Sequence, residues 1–188
     1  AVEGQNVVLE MSIRACLARC YAEIGEFSMA RDHAMTAVSV LRRVDETSID
    51  YARALLALGV LEQLEGDAMS AIHAFRLALR VAERTDDLLA CASAHYRLGL
   101  LQAGRGDTAA AIASFQQALE VAHPSGNTML ALVGKVALAT ALVRSGAWRR
   151  AEAVIASALA TAVDPRHARI RVRLLLLAAM IAVWRDGT

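Results

Sequence analysis

The chain has 188 residues, of which 56% are hydrophobic, and its 20 basic and 19 acidic residues leave a formal net charge of +1. This balance gives no global reason to expect direct binding to nucleic acid, because counterion release needs several clustered phosphate contacts. The longest apolar run, Leu174 to Trp184, is shorter than the roughly 18 to 20 residues that cross a bilayer, so no membrane partner is expected.

The predicted elements follow a recurrence with a spacing of about 40 residues, which is typical of stacked helical repeats. A glycine marks each unit, and a leucine followed by Gly or Ala precedes it. The glycines are Gly25, Gly66, Gly106 and Gly146, and the leucines are Leu17, Leu58, Leu98 and Leu138. An alanine follows each glycine, at Ala30, Ala71, Ala111 and Ala151, and Phe75 and Phe115 come shortly after two of them. Chance recurrence of glycine would not carry these neighbours along, so each unit is predicted to be one structural repeat.

Each unit is predicted to be a helical hairpin. The first helix builds up from about Val7, and the first helix of the second repeat runs to about Leu64 with leucines spaced for one apolar face. The glycines end the first helix of each repeat, since glycine adopts the left-handed conformation that is common at helix C-termini. The predicted N-caps are Thr47 or Ser48, Asp67 and Asp107.

The last part of the chain continues the same register. His123 to Asn127 is the most loop-like stretch and falls at a repeat junction, and Asp164-Pro165 opens a final helix from about Arg166. Gly187 keeps the glycine spacing, so the chain is expected to stop inside a fifth repeat and to be a fragment of a larger protein. The alternative is a trimmed or renumbered complete protein. The predicted single array comprises repeats at about 6–46, 47–86, 87–126 and 127–164 and a half repeat at 165–188.

The Leu-Gly pairs and the alanine with a large apolar residue four positions later resemble the tetratricopeptide repeat. The aromatic residue found early in that family's repeat is absent, and the family's Tyr survives only as Tyr21. The longer unit resembles the extended repeats of bacterial signalling regulators. This resemblance implies an all-α, right-handed superhelical solenoid of antiparallel helix hairpins, with about 4.5 repeats and nine helices.

The same resemblance implies a partner-binding groove on the concave wall, which the first helix of each repeat lines. The positions carried over to this chain are Arg19, Arg53, Leu56, Val60, Gln63, Tyr96, Arg97, Leu100, Val136, Thr140 and Arg144. A mostly apolar groove with arginines at its edge suits an amphipathic helix or hydrophobic peptide, because burying a Leu or Phe side chain is worth roughly 1.5 to 3 kcal/mol. The alternative is that the wall packs against a neighbouring domain of the same protein.

Metal and redox chemistry are not expected from the cysteines and histidines, which are dispersed through the repeats. Cys16 and Cys20 share a helix face at i and i+4, but no second pair completes a tetrahedral site. Together with Cys91 they suit a reducing, cytoplasmic location better than a disulfide scaffold. One basic cluster is interpreted as a solvated or salt-bridged helix face rather than a site for an anionic partner. It consists of Arg166, Arg169, Arg171 and Arg173.

No enzymatic activity and no cofactor are expected, since the chain contains no phosphate-loop, zinc-protease, nucleophile-elbow or dinucleotide-binding motif. The favoured function is a protein- or peptide-binding module, acting as the interaction or regulatory segment of a larger bacterial signalling protein. The alternative is a small-effector or peptide sensor domain of an ATPase-type transcription activator. Self-association is also expected, through the terminal helix, whose outer side lacks a following repeat.

Overall fold

The computed structural model describes residues 2–122 and 126–186, and this part of the chain is helical throughout, with no strand. Nine α-helices occur within the described residues, which confirms the predicted all-α fold. They are α1 (Val2–Glu23), α2 (Phe27–Asp45), α3 (Ile49–Glu65), α4 (Ala68–Arg84), α5 (Leu88–Gly104), α6 (Thr108–Ala122), α7 (Thr128–Arg144), α8 (Trp148–Thr161) and α9 (Ala168–Asp186).

Two helix starts differ from the sequence-based expectation. Helix α1 already begins at Val2 rather than near Val7, and α9 begins at Ala168 after a 3-10 turn over Pro165–His167. The turn forms because the Asp164 carboxylate accepts a hydrogen bond from the backbone N–H of Arg166 at 2.8 Å. Gly187, on which the expectation of a fifth repeat rested, and residues 123–125 of the predicted loop-like junction lie outside the described residues.

The helix ends are built as the local sequence signals predicted. The four turn glycines have φ between 74° and 90°, the left-handed region in which a side chain would be strained. At five helix starts a short polar side chain accepts a hydrogen bond from a free backbone N–H, whereas α2 and α8 have no side-chain cap. These caps are Ser48 for α3, Asp67 for α4, Asp87 for α5, Asp107 for α6 and Asn127 for α7.

The helices form two layers with different packing. The odd-numbered helices α1, α3, α5, α7 and α9 form an inner row in which each contacts the next. Each even-numbered helix packs on two odd-numbered ones, and no two even-numbered helices form more than a marginal contact over the residues described. The inner row is therefore the continuous wall, and gaps between outer helices expose parts of that wall from the other side.

A glycine facing a phenylalanine lies at the crossing of the two helices in the second and third repeats. The Phe75 and Phe115 side chains are 0% and 1% exposed. A Cβ added at Gly59 would lie 2.5 Å from Cε1 of Phe75, and one at Gly99 would lie 2.6 Å from Cε1 of Phe115. The ring of the second helix thus occupies the volume that a side chain on the first helix would need, which explains why Leu-Gly and Phe recur together in these two repeats.

Helix α9 is only partly covered. It buries Ile170, Leu174 and Ile181 in the core that also includes α7 and α8. Its other side exposes Leu176 and Val183, at 61% and 73%, so the expected self-association concerns this face. No described helix is long and apolar enough to span a membrane.

Candidate functional site

A cavity of about 130 Å³ opens on the inner row between α5 and α7 and reaches the start of α6 and the side of α9. Five of the predicted groove residues line it: Tyr96, Leu100, Val136, Thr140 and Arg144. The other lining residues are Ala103, Thr108, Phe115, Val133, Ala137, Ala141 and Arg173. The wall is therefore mostly apolar, and two guanidinium groups are among its few charged groups.

The apolar part of the cavity is held in place by the core of the third repeat. The Tyr96 ring lies 6.1 Å from that of Phe115, centroid to centroid, with the ring planes tilted by 45°. Such tilted aromatic pairs add packing energy beyond their buried area. Phe115 is itself fixed against Gly99, so the glycine on α5 indirectly sets the position of the tyrosine that faces the cavity.

The polar residues that line the cavity are Thr108, Thr140 and the two arginines, together with Tyr96, which carries a phenol. The Thr140 hydroxyl donates to the backbone carbonyl of Val136 at 2.8 Å, which uses its proton but leaves its oxygen able to accept. Arg144 is the last residue of α7, and Arg173 reaches the same space from α9. Neither guanidinium forms an ion pair with any residue that the structure describes. Both are therefore available to an anionic group of a ligand.

Arg97 lies next to Tyr96 in the sequence but in a different environment. Its side chain is half-buried. The pKa of the Arg97 guanidinium is lowered, chiefly because the group is buried. The charge of Arg19 also lowers this pKa, whereas Tyr96 and Glu23 raise it. The predicted groove residues Arg19 and Arg97 therefore repel one another electrostatically, and the negative charge of Glu23 offsets part of that repulsion.

The four predicted groove residues on α3 do not line the cavity. Val60 is 4% exposed and lies in the core beside Phe75, and Leu56 packs against the same core. Arg53 donates through Nε to the Asp87 carboxylate at 3.0 Å, so it fastens α3 to the start of α5. Gln63 buries its Oε1 without a hydrogen-bond partner among the described residues. Placing residues by repeat position treated all repeats alike, whereas this cavity lies at the third and fourth repeats.

Arg173 is a cavity residue that sequence reasoning assigned to a solvated basic cluster. The repeat spacing contained a signal for it, because Arg173 follows Val133 by one period, and Val133 occupies the position of Arg53 two repeats earlier. Because the four arginines were interpreted together as a solvated or salt-bridged helix face, the repeat position of Arg173 was not used to predict a groove residue. Arg166, in the same cluster, is paired with Asp164, whose carboxylate lies 2.7 Å from the guanidinium, in agreement with the salt-bridged interpretation of the cluster.

Metal ligation and thiol chemistry find little support in the geometry. Among the described residues, no three His, Cys, Asp or Glu side chains cluster as metal ligands would. Cys91 is buried, and burial raises the pKa of its thiol, which disfavours the reactive thiolate. Cys16 and Cys20 are exposed on α1 and are not bonded to one another.

Several solved structures share this fold. Aspartyl phosphate phosphatase F from Bacillus subtilis superposes with a TM-score of 0.86 at 14% identity, covering 96% of this chain and 47% of that one. A Rap protein complexed with competence and sporulation factor gives a TM-score of 0.81 at 14% identity, with 89% and 46% covered. A signal transduction ATPase with numerous domains from Pyrococcus horikoshii, which has a tetratricopeptide repeat sensor, gives 0.78 at 14% identity, with 94% and 27% covered.

These identities show a shared fold alone, and the chain spans about half the length of the first two structures and about a quarter of the third. A comparison with curated proteins found no match. Two tetratricopeptide repeat profiles match the sequence, one over residues 50–122 and one over residues 136–169, and together they cover more than half of the chain. With the helical hairpins and the glycine turns described above, these matches show that the chain belongs to the tetratricopeptide repeat family.

Proposed function

We propose that this chain is the peptide-binding regulatory segment of a larger signalling protein, and that the cavity between α5, α7 and α9 is its ligand site. The proposal is based on one observation, which is that predicted groove residues of α5 and α7 line a single cavity together with Arg173 of α9. The groove residues are Tyr96, Leu100, Val136, Thr140 and Arg144. A ligand there contacts three members of the inner row at once. Occupancy can therefore alter how the third, fourth and last hairpins stack, which is a route from binding to regulation.

The size of the cavity favours a side chain of a peptide over a free small effector. Pockets for drug-sized ligands are typically about 300 to 1,000 Å³, whereas this one has about 130 Å³. A dry cavity of about 150 Å³ accepts a molecule the size of benzene. One Leu, Ile or Phe side chain fits this space, and the rest of the peptide would lie along the open inner row.

The charges at the site indicate which residue of the peptide should stand next to that apolar side chain. Arg144 and Arg173 are exposed at the edge of an apolar wall and form no ion pair within the described part of the chain. A carboxylate beside the buried side chain can accept hydrogen bonds from both guanidinium groups, and bonds of this charge-assisted kind are among the stronger ones in proteins. The preferred ligand is therefore an apolar residue next to Asp, Glu or a free C-terminal carboxylate.

The regulatory part of the proposal is supported by what the structural neighbours are. One is a Rap protein captured with competence and sporulation factor, and another contains a tetratricopeptide repeat sensor within a signal transduction ATPase. The latter favours the second candidate, a sensor domain of an ATPase-type activator. Both candidates use the same cavity and differ in the ligand and in the domains to which the array is joined. A binding role without catalysis is proposed for either.

The test is a fluorescent hexapeptide library in which one position is Leu, Ile or Phe and the next is Asp, Glu or Lys. We expect acidic members to bind more tightly than their Lys counterparts, and the Arg144→Glu/Arg173→Glu variant to weaken that binding at least about tenfold. The control Arg149→Glu/Arg150→Glu changes the same charge on exposed α8 positions that do not line the cavity. It should leave the affinity within about twofold.

Equal binding of acidic and Lys peptides, or equal losses in the two variants, would refute the peptide site. The sensor candidate makes a different prediction. A small metabolite should then raise the melting temperature of the wild-type chain, and the Arg144→Glu/Arg173→Glu variant should abolish that rise.

A further inference from the structure

A second concave surface lies on the opposite layer, between α2 and α4. Two adjoining depressions of about 470 and 370 Å³ occupy this gap. They share Arg42, Tyr51, His73 and Leu77, so they form one continuous trough, here called the outer groove. It is larger than the cavity on the inner row, and its lining residues include none of those that line that cavity.

The outer groove exists because α2 and α4 both pack on α3 but make at most a marginal contact with each other. Its floor is the side of α3 that faces outward, with Leu55 and the ring of Tyr51, which is 4% exposed. Leu58 and Leu77 extend the apolar surface and are only partly buried. The bottom of the groove is thus apolar, and its two sides mix polar residues such as Arg42 and His73 with apolar ones such as Val38 and Met69.

The charge along the groove is uneven. At one end lie Arg42, Arg80 and Arg84, with Glu46 as the acidic group among the lining residues there. None of these three arginines forms an ion pair with a residue in the described ranges. The pKa of the Tyr51 phenol is raised, chiefly because the phenol is buried. The charge of Arg42 lowers this pKa and that of Glu46 raises it, so both residues influence the tyrosine at the floor of the groove.

At the other end of the groove the acidic groups outnumber the basic one. Glu62 lines the groove there, and its carboxylate accepts from Arg31 at 3.1 Å. Arg31 also pairs with Glu65. The charge of the groove is therefore net positive at the end where Arg42, Arg80 and Arg84 outnumber Glu46. It is net negative at the Glu62 end, where one guanidinium group faces two carboxylates.

We propose that the outer groove is a docking surface for an amphipathic α-helix of a partner protein, with apolar residues on the α3 floor and acidic residues against Arg42, Arg80 and Arg84. A helix suits the surface better than an extended strand. The groove is walled by helices whose backbone groups are bonded internally, so it offers no strand edge to which an extended strand could add, whereas a helix satisfies its own backbone groups.

The dimensions agree with this occupant. The lining residues on α4 run from Met69 to Arg84, which at 1.5 Å per residue corresponds to about 22 Å, or about four helical turns. An incoming helix of about 16 residues would match that length and present two or three apolar side chains to the floor. The array would then bind partners on both layers, a peptide on the inner row and a helix on the outer one.

The probe is a synthetic helical peptide of about 16 residues with Leu on one face and Glu on the flanks, labelled for fluorescence anisotropy. A second peptide has Lys in place of every Glu. The variant is Arg42→Glu/Arg80→Glu, and the matched control is Arg43→Glu/Arg76→Glu, which changes exposed residues of the same two helices that do not line the groove.

We expect the wild-type chain to bind the Glu peptide at least about tenfold more tightly than the Lys peptide. The Arg42→Glu/Arg80→Glu variant should reverse this preference, and the control should change either affinity by less than about threefold. Absence of binding up to about 1 mM, an unchanged preference in the groove variant, or equal effects in the control would each overturn the proposal.

One further variant separates this surface from the site on the inner row. Arg144→Glu/Arg173→Glu should leave binding of the Glu peptide intact, since neither residue lines the outer groove. If that variant alone abolished binding, the helix would be occupying the inner row and the outer groove would not be its site. Success or failure here is independent of the hexapeptide experiment.

Discussion

Gly99 is the position at which the packing of the array can be tested most sharply. A methyl group added there would lie 2.6 Å from Cε1 and 2.7 Å from Cδ1 of Phe115, whereas carbon atoms in favourable contact are about 3.5 to 4.0 Å apart. The Phe115 ring is 1% exposed, so it cannot withdraw without moving its neighbours. The variant Gly99→Ala should therefore overpack the crossing of α5 and α6.

The magnitude follows from two opposing effects. Overpacking a dense core costs about 1 to 3 kcal/mol, and an overlap of about 1 Å against a fixed ring belongs at the upper end of that range. Alanine is better than glycine in a helix by about 0.8 to 1.0 kcal/mol. The expected net loss is about 2 kcal/mol, measured as a lower urea midpoint with an unchanged slope in far-UV circular dichroism.

The control is Gly104→Ala in the same helix, where an added Cβ has no neighbour within 4 Å. It should be neutral or stabilising by up to about 1 kcal/mol. Adding Phe115→Ile to Gly99→Ala reproduces the Ala139 and Ile155 pair of the fourth repeat. The double variant should lose at least about 1 kcal/mol less than the sum of the two single variants. Equal stability of Gly99→Ala and Gly104→Ala would refute the proposed contact.

Three further outcomes follow from individual contacts. Phe75→Ala should lower the free energy of unfolding by about 3 to 5 kcal/mol through cavity formation. A urea midpoint close to that of the wild-type chain would contradict the buried position of the ring. Asp107→Ala should cost about 1 kcal/mol, because its carboxylate caps α6 through the N–H of Ala110 at 3.1 Å, and Asp107→Asn should restore most of that loss. Hydrogen bonds from Arg166 hold the pKa of Asp164 at about 2 against an ordinary 3.8. Its stabilising contribution is therefore complete above that ordinary value and lost as the pH falls towards 2. A carboxyl titration followed by NMR should show this, and Arg166→Ala should raise the midpoint.

The sequence by itself determined the helical hairpins, because the signals that specify them are local. A left-handed glycine, a capping carboxylate and an apolar stripe each act within one or two helical turns. Asp67 and Asp107 were identified as caps for this reason, and their side chains accept the expected backbone hydrogen bonds. The recurrence of Phe75 and Phe115 likewise indicated two equivalent buried sites, and both rings are buried.

Only the tertiary structure decided which inner-row residues meet. Arg53 was predicted to be a groove residue like the others, yet it is paired with Asp87, 34 residues away, and Val60 lies in the core. Arg173 instead joins Tyr96 and Arg144 around the cavity. The reason is geometric, since small rotations between successive hairpins accumulate along a stacked array. Which side chains of different repeats come together depends on that stacking, and the helix and cap signals, which act within one or two turns, do not record it.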